Sequence, residues 1–444
     1  MFKELGAVEI RLPREIIVYR KYTINQKKKE VSPLSAPQEN KRERQKERQI
    51  LLLQALYCII PKNNNTERQA PTKRNHPFPR IQLMSRQKKV LVGISGGVDS
   101  AVTACLLLKQ GYQVTGLNIR VLDSLEESTS IQPSPLVISD HPDFQIPVFT
   151  LNLSSKFKSD VISYFHDDYL GGRTPNPCMV CNKKIKWFGL FEGAKMLDAE
   201  FIATGHFAST SFSDGRYRLY KGVDPQKDQS YFLWMLSQSD LEKTILPLGE
   251  LTKPEVRKLA HSFGVRAAEK KESQEICFVP QDDYCGYLEG AIPGLAEKVA
   301  DGDIVDETGN VIGKHRGYPF YTIGQRRGVG VSAKIPLYVT GIDTEHNRIQ
   351  VGTKSALETR SLIASGLNWI GIEQLSTPTD ALGKIRYRDK ESPCTLEPLE
   401  NHEVAVSFTS PKSAIAAGQA AVFYRNSEVL GGGFIRQVLQ ESHL

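Results

Sequence analysis

Apolar and polar positions change rhythm along the chain. From Lys88 to about Cys285, short apolar runs rich in β-branched residues (VLVGI, YQVTGLNI, PVFTLNL, AEFIATGH) alternate with stretches of helical spacing (AVTACLLLKQ, KSDVISYFHDDYL, KIKWFGLFEGAKML, KPEVRKLAHSFG). Strands alternating with helices predict a parallel sheet covered on both faces. Beyond about Gly294 helical periodicity is nearly absent. Short runs recur between turns instead: DGDIVDETGNVIGKH, LYVTGID, NRIQVGT, KIRYRD, HEVAVSF and QAAVFYRNSEVLGGGFI. They predict one or two small, barrel-like β domains.

The first 84 residues follow neither rhythm. KKKE, KRERQKER, KNNNTER and PTKRNHPFPR are polar, charged and broken by proline, a composition that cannot bury a core. Eight acidic residues argue against a transit peptide. Residues 1–84 are therefore expected to be a disordered, non-native basic extension, with MSRQKKVLVGIS from Met84 reading as an ordinary cytosolic start. The remaining boundaries are expected at 85–290 for the α/β domain, 291–360 for a central β domain and 361–444 for a C-terminal β-barrel.

Charge sharpens this division. The chain of 444 residues carries +7, but the first 84 residues hold 18 Lys+Arg against 8 Asp+Glu, leaving 39 against 42 for the rest. The basic balance is no nucleic-acid footprint of the folded part. The longest apolar run, Ile50 to Ile60, is too short to span a bilayer. Seven cysteines, an odd number in a long chain without a secretory pattern, point to a reducing compartment.

Candidate chemistry begins at VLVGISGGVDSAV. A glycine-rich turn between a strand and a helix N-terminus presents backbone N–H groups and a favourable dipole to an anion. Ser95 to Ser100 is thus a candidate phosphate cradle, and no Gly-Lys-Ser/Thr follows to make it a Walker A loop. The competing reading is a tight turn whose serines cap the helix. SGGVDS resembles the motif of the PP-loop ATP pyrophosphatases, which have an adenine-nucleotide α-hydrolase-like (Rossmann-like) fold and cleave ATP between the α and β phosphates. That resemblance implies that Gly93, Ile94, Ser95, Gly96, Gly97, Val98, Asp99 and Ser100 bind ATP, with Asp99 helping to hold Mg²⁺.

In GGRTPNPCMVCNKKIKWF, Cys178 and Cys181 form a C-x-x-C before a basic helix. Three readings stand: a metal or Fe–S ligand pair, a redox dithiol, or a nucleophile whose pKa a helix N-terminus lowers. Cys277 lies in KKESQEICFVP, where Lys270 and Lys271 are placed to favour a thiolate. Cys277 and Cys285 are eight apart, a poor second pair for structural zinc.

GISGGVDSAV, GRTPNPCMVCNKKIKW, ATGHFA, KDQSYFLW, ESQEICF, YTIGQRRGVGV, KIRYR and GQAAVFY, in this order, resemble the bacterial tRNA-specific 2-thiouridylases from about residue 88 to 437. The resemblance implies replacement of the 2-oxygen of the wobble uridine by sulfur in tRNA-Lys, tRNA-Glu and tRNA-Gln. It implies ATP and Mg²⁺ as cofactors, and as partners the tRNA anticodon arm and a persulfide donor such as a cysteine desulfurase or sulfur-relay protein, with no membrane. By the same resemblance Cys277 accepts sulfur as a persulfide, and Cys181 attacks during release, leaving a Cys181–Cys277 disulfide. Ile119 and Gly205 border the nucleotide. Asn176, Pro177 and Cys178 sit beside the target base. Lys227, Asp228, Gln229, Arg386 and Tyr387 touch tRNA, and His206 and Gln419 contact substrate. The bland alternatives are a turn-capping His206, a solvated face for Lys183, Lys184 and Lys186, and a strand bearing a solvent-facing Arg–Tyr–Arg at Arg386.

Two departures matter. Many relatives have an acid where this chain has Cys178, so a labile Fe–S cluster on Cys178, Cys181 and Cys277 is an alternative. Residues 121–147 do not resemble the family's cysteine-containing helical insert, which raises a divergent tRNA-binding paralogue with impaired catalysis as another. A cytoplasmic location is expected, with a mitochondrial one as the alternative.

Overall fold

The computed structural model describes residues 3–12, 15–23, 87–122, 130–270 and 276–439. Two compact units divide the chain, Met1–Ile81 and Gln82–Leu444. In the first, β1 (Lys3–Leu12) and β2 (Glu15–Thr23) pair antiparallel, with Leu12 opposite Glu15 at the turn. The composition argument did not anticipate this hairpin, because charge outweighs the short alternation of Val8, Ile10 and Leu12 when the segment is read as a whole. The other residues of that basic segment lie outside the described residues.

The second unit opens with a Rossmann-like domain. Its strands are β3 (Lys89–Gly93), β4 (Gln113–Arg120), β5 (Gln132–Pro133), β6 (Val148–Asn152), β7 (Phe201–Ala203) and β10 (Thr244–Ile245). They lie in the order β10-β7-β3-β4-β6-β5, parallel throughout except for the edge strand β5. Burial explains the apolar run of β3. Leu91 joins the core that contains Trp187 and Leu190, while Val90 and Val92 join the opposite one with Val102 and Leu107. Helix α1 (Val98–Lys109) follows β3 directly. The chain leaves β3 to build β4 and β6 on one side, then returns to place β7 on the other. The crevice beyond the carboxyl ends of β3 and β7 is therefore the topological switch point, where open α/β sheets bind ligands.

Part of the unfamiliar insert closes the sheet edge. Gln132 and Pro133 pair with Thr150 and Phe149, and the Ser139 hydroxyl donates to the Phe263 carbonyl at 2.6 Å. These contacts tie the described part of the insert to the body of the domain.

Two β modules follow. The central sheet holds β11 (Gly302–Val305), β12 (Val311–His315), β13 (Tyr338–Asp343) and β14 (Arg348–Gly352), in the order β12-β11-β14-β13. The C-terminal strands are β15 (Glu358–Trp369), β16 (Thr379–Lys384), β17 (Ser392–Leu399), β18 (Glu403–Ser413), β19 (Ala420–Arg425) and β20 (Glu428–Leu439). They run β15-β18-β17-β16-β19-β20, and β15 pairs again with β20 to close a six-stranded barrel. Closure removes the exposed edges that such a sheet would otherwise present. A hairpin from the first domain, β8 (Ala208–Ser213) and β9 (Arg216–Lys221), joins this sheet through Tyr220 and Glu428.

KIRYRD is not a strand. β16 ends at Lys384, and Ile385 to Asp389 form a turn in which the Ile385 N–H donates to the Asp389 carboxylate. A buried pair with Lys412 holds that carboxylate at 2.7 Å. Ion pairing of Asp389 thus stops the strand where hydrophobic alternation alone would have continued it.

Candidate active site

The loop after β3 has the geometry of an anion cradle. Gly96 turns the chain at φ +73°, a backbone conformation that a side chain would strain. The Ser100 hydroxyl donates to the Gly97 carbonyl at 3.1 Å and lies 3.3 Å from the Ser95 hydroxyl, and the Ser95 N–H donates to it at 3.2 Å. These contacts fold the loop onto the N-terminus of α1. Across the crevice Gly205 approaches so closely that a Cβ there would fall 2.8 Å from the Asp99 carbonyl carbon. Glycine is required at that position by backbone proximity.

Between these two loops lies a cavity of about 260 Å³, lined by Gly93, Ser95, Asp99, Ser100, Ile119 and Gly205, with Lys186, Thr204, His206 and Gln229 completing the wall. Ile119 and Gly205, which the family resemblance places beside the nucleotide, both line this cavity. Asp99 is the one carboxylate among its lining residues, and Lys253 donates to both its oxygens, at 2.7 and 2.8 Å. One carboxylate completed by phosphate oxygens is the coordination that Mg²⁺ commonly accepts, so the donor set fits a nucleotide-bound Mg²⁺.

A second cavity, of about 560 Å³, adjoins the first. Pro177, Cys178, Cys181 and Cys277 line it, and Ser95, Asp99, Lys186 and Gln229 line both. The helix carrying the C-x-x-C starts earlier than its hydrophobic pattern indicated. Pro177–Cys181 is its first turn, Asn182–Trp187 is π-helical, and Phe188–Met196 continues it. Proline at the first helical position makes this start possible, since its missing N–H needs no partner there.

The cysteines do not behave as the helix dipole alone would dictate. Burial pushes the Cys181 thiol up to about 11, with Lys186 opposing. Burial also raises Cys178 and Cys277, again against Lys186. Desolvation therefore outweighs the helix terminus here, and the expected lowering is reversed. Lys270 lines the cysteine cavity but donates to the Gly96 carbonyl at 3.3 Å, while Lys271 lies outside the described residues. Cys178, Cys181 and Cys277 are free thiols. Among the described residues no three His, Cys, Asp or Glu side chains are grouped to hold a metal ion.

Other expected contacts are distributed around this centre. His206 lies 2.9 Å from the Thr204 hydroxyl, and burial with the charge of Lys186 pushes its pKa down to about 3. Gln229 accepts from the Phe207 N–H and faces both cavities. Asp228 is buried, and its carboxylate accepts from the N–H groups of Gly222 and Ser230, so it shapes the turn after Lys227 from within. Gln419 donates from the barrel to the carbonyls of Thr174 and Pro175, both at 3.1 Å, fixing the loop that leads to Asn176. Arg386 is exposed on its turn, whereas Tyr387 packs on Phe232 at 4.6 Å.

Sequence reasoning missed Lys253, which nothing local sets apart from Lys258 in the same helix. It also left Lys183, Lys184 and Lys186 undivided. Lys183 pairs with Asp240, and Lys186 enters both cavities.

Three family models match the second unit in sequence. One described as a tRNA methyl transferase HUP domain matches residues 88–281, one described as a tRNA methyl transferase PRC-barrel domain matches 295–353, and one described as an aminomethyltransferase beta-barrel domain matches 359–435. Several relatives carry the name tRNA-specific 2-thiouridylase MnmA. That of Chlorobium phaeobacteroides strain DSM 266 is 68% identical over 349 residues, 79% of this chain and 98% of the relative. That of Chlorobaculum tepidum is 64% identical over 81% of this chain and 98% of its own length. That of Carboxydothermus hydrogenoformans is 43% identical over 80% of this chain and 99% of its own length.

Proposed function

The chain belongs to the tRNA-specific 2-thiouridylase family, and we propose on that premise that it thiolates the wobble uridine of tRNA-Lys, tRNA-Glu and tRNA-Gln through an adenylated base and a cysteine persulfide. The observation that carries this mechanism is the shared wall of the two cavities. Ser95, Asp99, Lys186 and Gln229 border both, so an activated base and a sulfur-bearing cysteine can meet without leaving the site.

The chemistry requires such a meeting point. The C2 carbonyl of uridine is a poor electrophile. Attack of its oxygen on the α-phosphorus of ATP expels pyrophosphate and converts that oxygen into part of an AMP leaving group. Gly93 to Ser100 would cradle the phosphates, Ile119 and Gly205 would border the adenine nucleotide, and Asp99 would hold a Mg²⁺ whose charge would offset that of the phosphates. The terminal sulfur of a Cys277 persulfide attacks C2, and AMP departs with the electron pair of the broken C–O bond. Cys181 then gives up its thiol proton to solvent and attacks Sγ of Cys277. The S–S bond breaks, its electron pair stays on the new 2-thio group, and a Cys181–Cys277 disulfide remains. An external dithiol must supply two electrons to restore both thiols.

Asn176, Pro177 and Cys178 flank the base in this scheme, while Lys227, Arg386 and Tyr387 lie along the tRNA path. A cysteine desulfurase or sulfur-relay protein supplies the persulfide. Incubation of the chain with bulk unmodified tRNA, ATP, Mg²⁺ and such a donor tests the substrate set. Thiolation confined to tRNA-Lys, tRNA-Glu and tRNA-Gln supports the assignment; thiolation of cytidine, or of unrelated tRNAs to the same extent, refutes it.

A further inference from the structure

Lys186 stands where the two cavities join. Among the described residues it is the cation that lines both. Its position follows from a local irregularity of the helix. In an α-helix the side chain five places beyond Cys181 would point about 140° away from it. The stretch Asn182–Trp187 is π-helical, and a turn closed by i→i+5 hydrogen bonds returns the fifth residue close to the starting face. Cys178, Cys181 and Lys186 consequently face one cavity.

The other charged groups do not duplicate it. Asp99 faces both cavities with its carboxylate held by Lys253, and Lys270 faces the cysteine cavity while donating to the Gly96 carbonyl. His206 faces the nucleotide cavity from the loop after β7. The reaction proposed above develops negative charge twice near this junction, on the departing AMP and on the attacking sulfur.

We propose that Lys186 is a catalytic residue of sulfur transfer, placed by the π-helical turn to stabilise both the AMP leaving group and the sulfur nucleophile. Fixed charge aimed at a developing anion costs little reorganisation, and removing one such group commonly lowers turnover about 10²–10³-fold. The proposal rests on the thiolation reading, and it separates Lys186 from a lysine that merely grips tRNA phosphate.

The test uses the full chain and its Lys186→Met and Lys186→Arg variants. Three quantities are measured on unmodified tRNA-Glu with ATP, Mg²⁺ and a persulfide donor: tRNA affinity, kcat for 2-thiouridine formation, and thermal unfolding. Lys186→Met should lower kcat at least about a hundredfold, with tRNA affinity within about threefold and an unchanged unfolding curve. Lys186→Arg should recover a tenth or more of the parent rate. Unchanged kcat in Lys186→Met, or a defect carried by KM and tRNA affinity alone, overturns the proposal. A parent chain that forms no 2-thiouridine overturns the thiolation reading itself, an outcome distinct from an active parent with an equally active variant.

Discussion

Lys253 Nζ donates to both carboxylate oxygens of Asp99, at 2.7 and 2.8 Å, across a sequence separation of 154 residues. The lysine side chain is buried and the aspartate half-buried. This bridge ties the helix after the glycine loop to the helix Lys253–Ser262, whose start is capped by Thr252 and Glu255. Removing one partner leaves the other charge poorly compensated, which is costly in a desolvated setting.

Asp99→Asn should therefore both destabilise the domain and stop ATP use. We expect a loss of about 2 kcal/mol, below the range for a fully buried pair because Asp99 retains solvent contact. At this domain size that corresponds to a Tm lower by about 4–8 °C. Calorimetry reads the first effect, and tRNA-dependent AMP release reads the second. An unchanged Tm with full AMP release would refute the assignment of Asp99.

Cys181 should respond slowly to alkylation at neutral pH. Burial pushes Cys181 up to about 11, and the thiolate is the reactive form. Iodoacetamide labelling of Cys181, read by peptide mass spectrometry, should be at least about tenfold slower in the folded chain than in urea at pH 8. Its rate should still be climbing at pH 10. The folded pKa lies above the unfolded one, so the stability contributed by this thiol is fully present below the unfolded value and declines as pH rises toward 11. A labelling plateau near pH 7 would contradict this environment.

His206 should stay neutral throughout the working range, because burial and the charge of Lys186 push its pKa down to about 3. Activity against pH should show no acidic limb near 6.5 attributable to this residue. Histidine resonances followed by NMR through pH 5–8 check this: the His206 ring should not titrate, and a midpoint near 6.5 would exclude the buried geometry.

The turn bearing Arg386 depends on Lys412, which pairs with Asp389 at 2.7 Å and donates to the Lys390 carbonyl at the same distance. Lys412→Met should weaken tRNA binding about five- to tenfold at fixed salt by releasing that turn. Labelling of Cys181 should be unaffected. Filter binding at two salt concentrations gives the comparison, and parent-like affinity would remove the turn from the tRNA path.

Much of this arrangement was legible in the sequence because it is local. SGGVDS after an apolar run predicts a glycine loop between a strand and a helix, and the change of rhythm near Gly294 predicts the β modules. Features set by distant partners were not legible. Hydrophobic spacing cannot reveal that Asp389 and Lys412 end β16, or that Lys253 meets Asp99. Nor could it reveal the π-helical turn, since the pattern of NKKIKW fits an ordinary helix equally well. Cys178 and Cys181 were recognised as a pair, but the direction of their pKa shifts depends on burial that only packing determines.

The central claim is that Cys277 carries the sulfur delivered to uridine and Cys181 releases it. Its most direct test incubates the full chain, Cys277→Ala and Cys181→Ala with unmodified tRNA-Glu, ATP, Mg²⁺ and a ³⁵S-labelled persulfide donor. Digested tRNA is then read for 2-thiouridine by mass spectrometry and radioactivity. The account predicts labelled 2-thiouridine from the parent and none from either variant, with protein-bound ³⁵S lost in Cys277→Ala and retained in Cys181→Ala. Labelled 2-thiouridine formed by Cys277→Ala at the parent rate would contradict it.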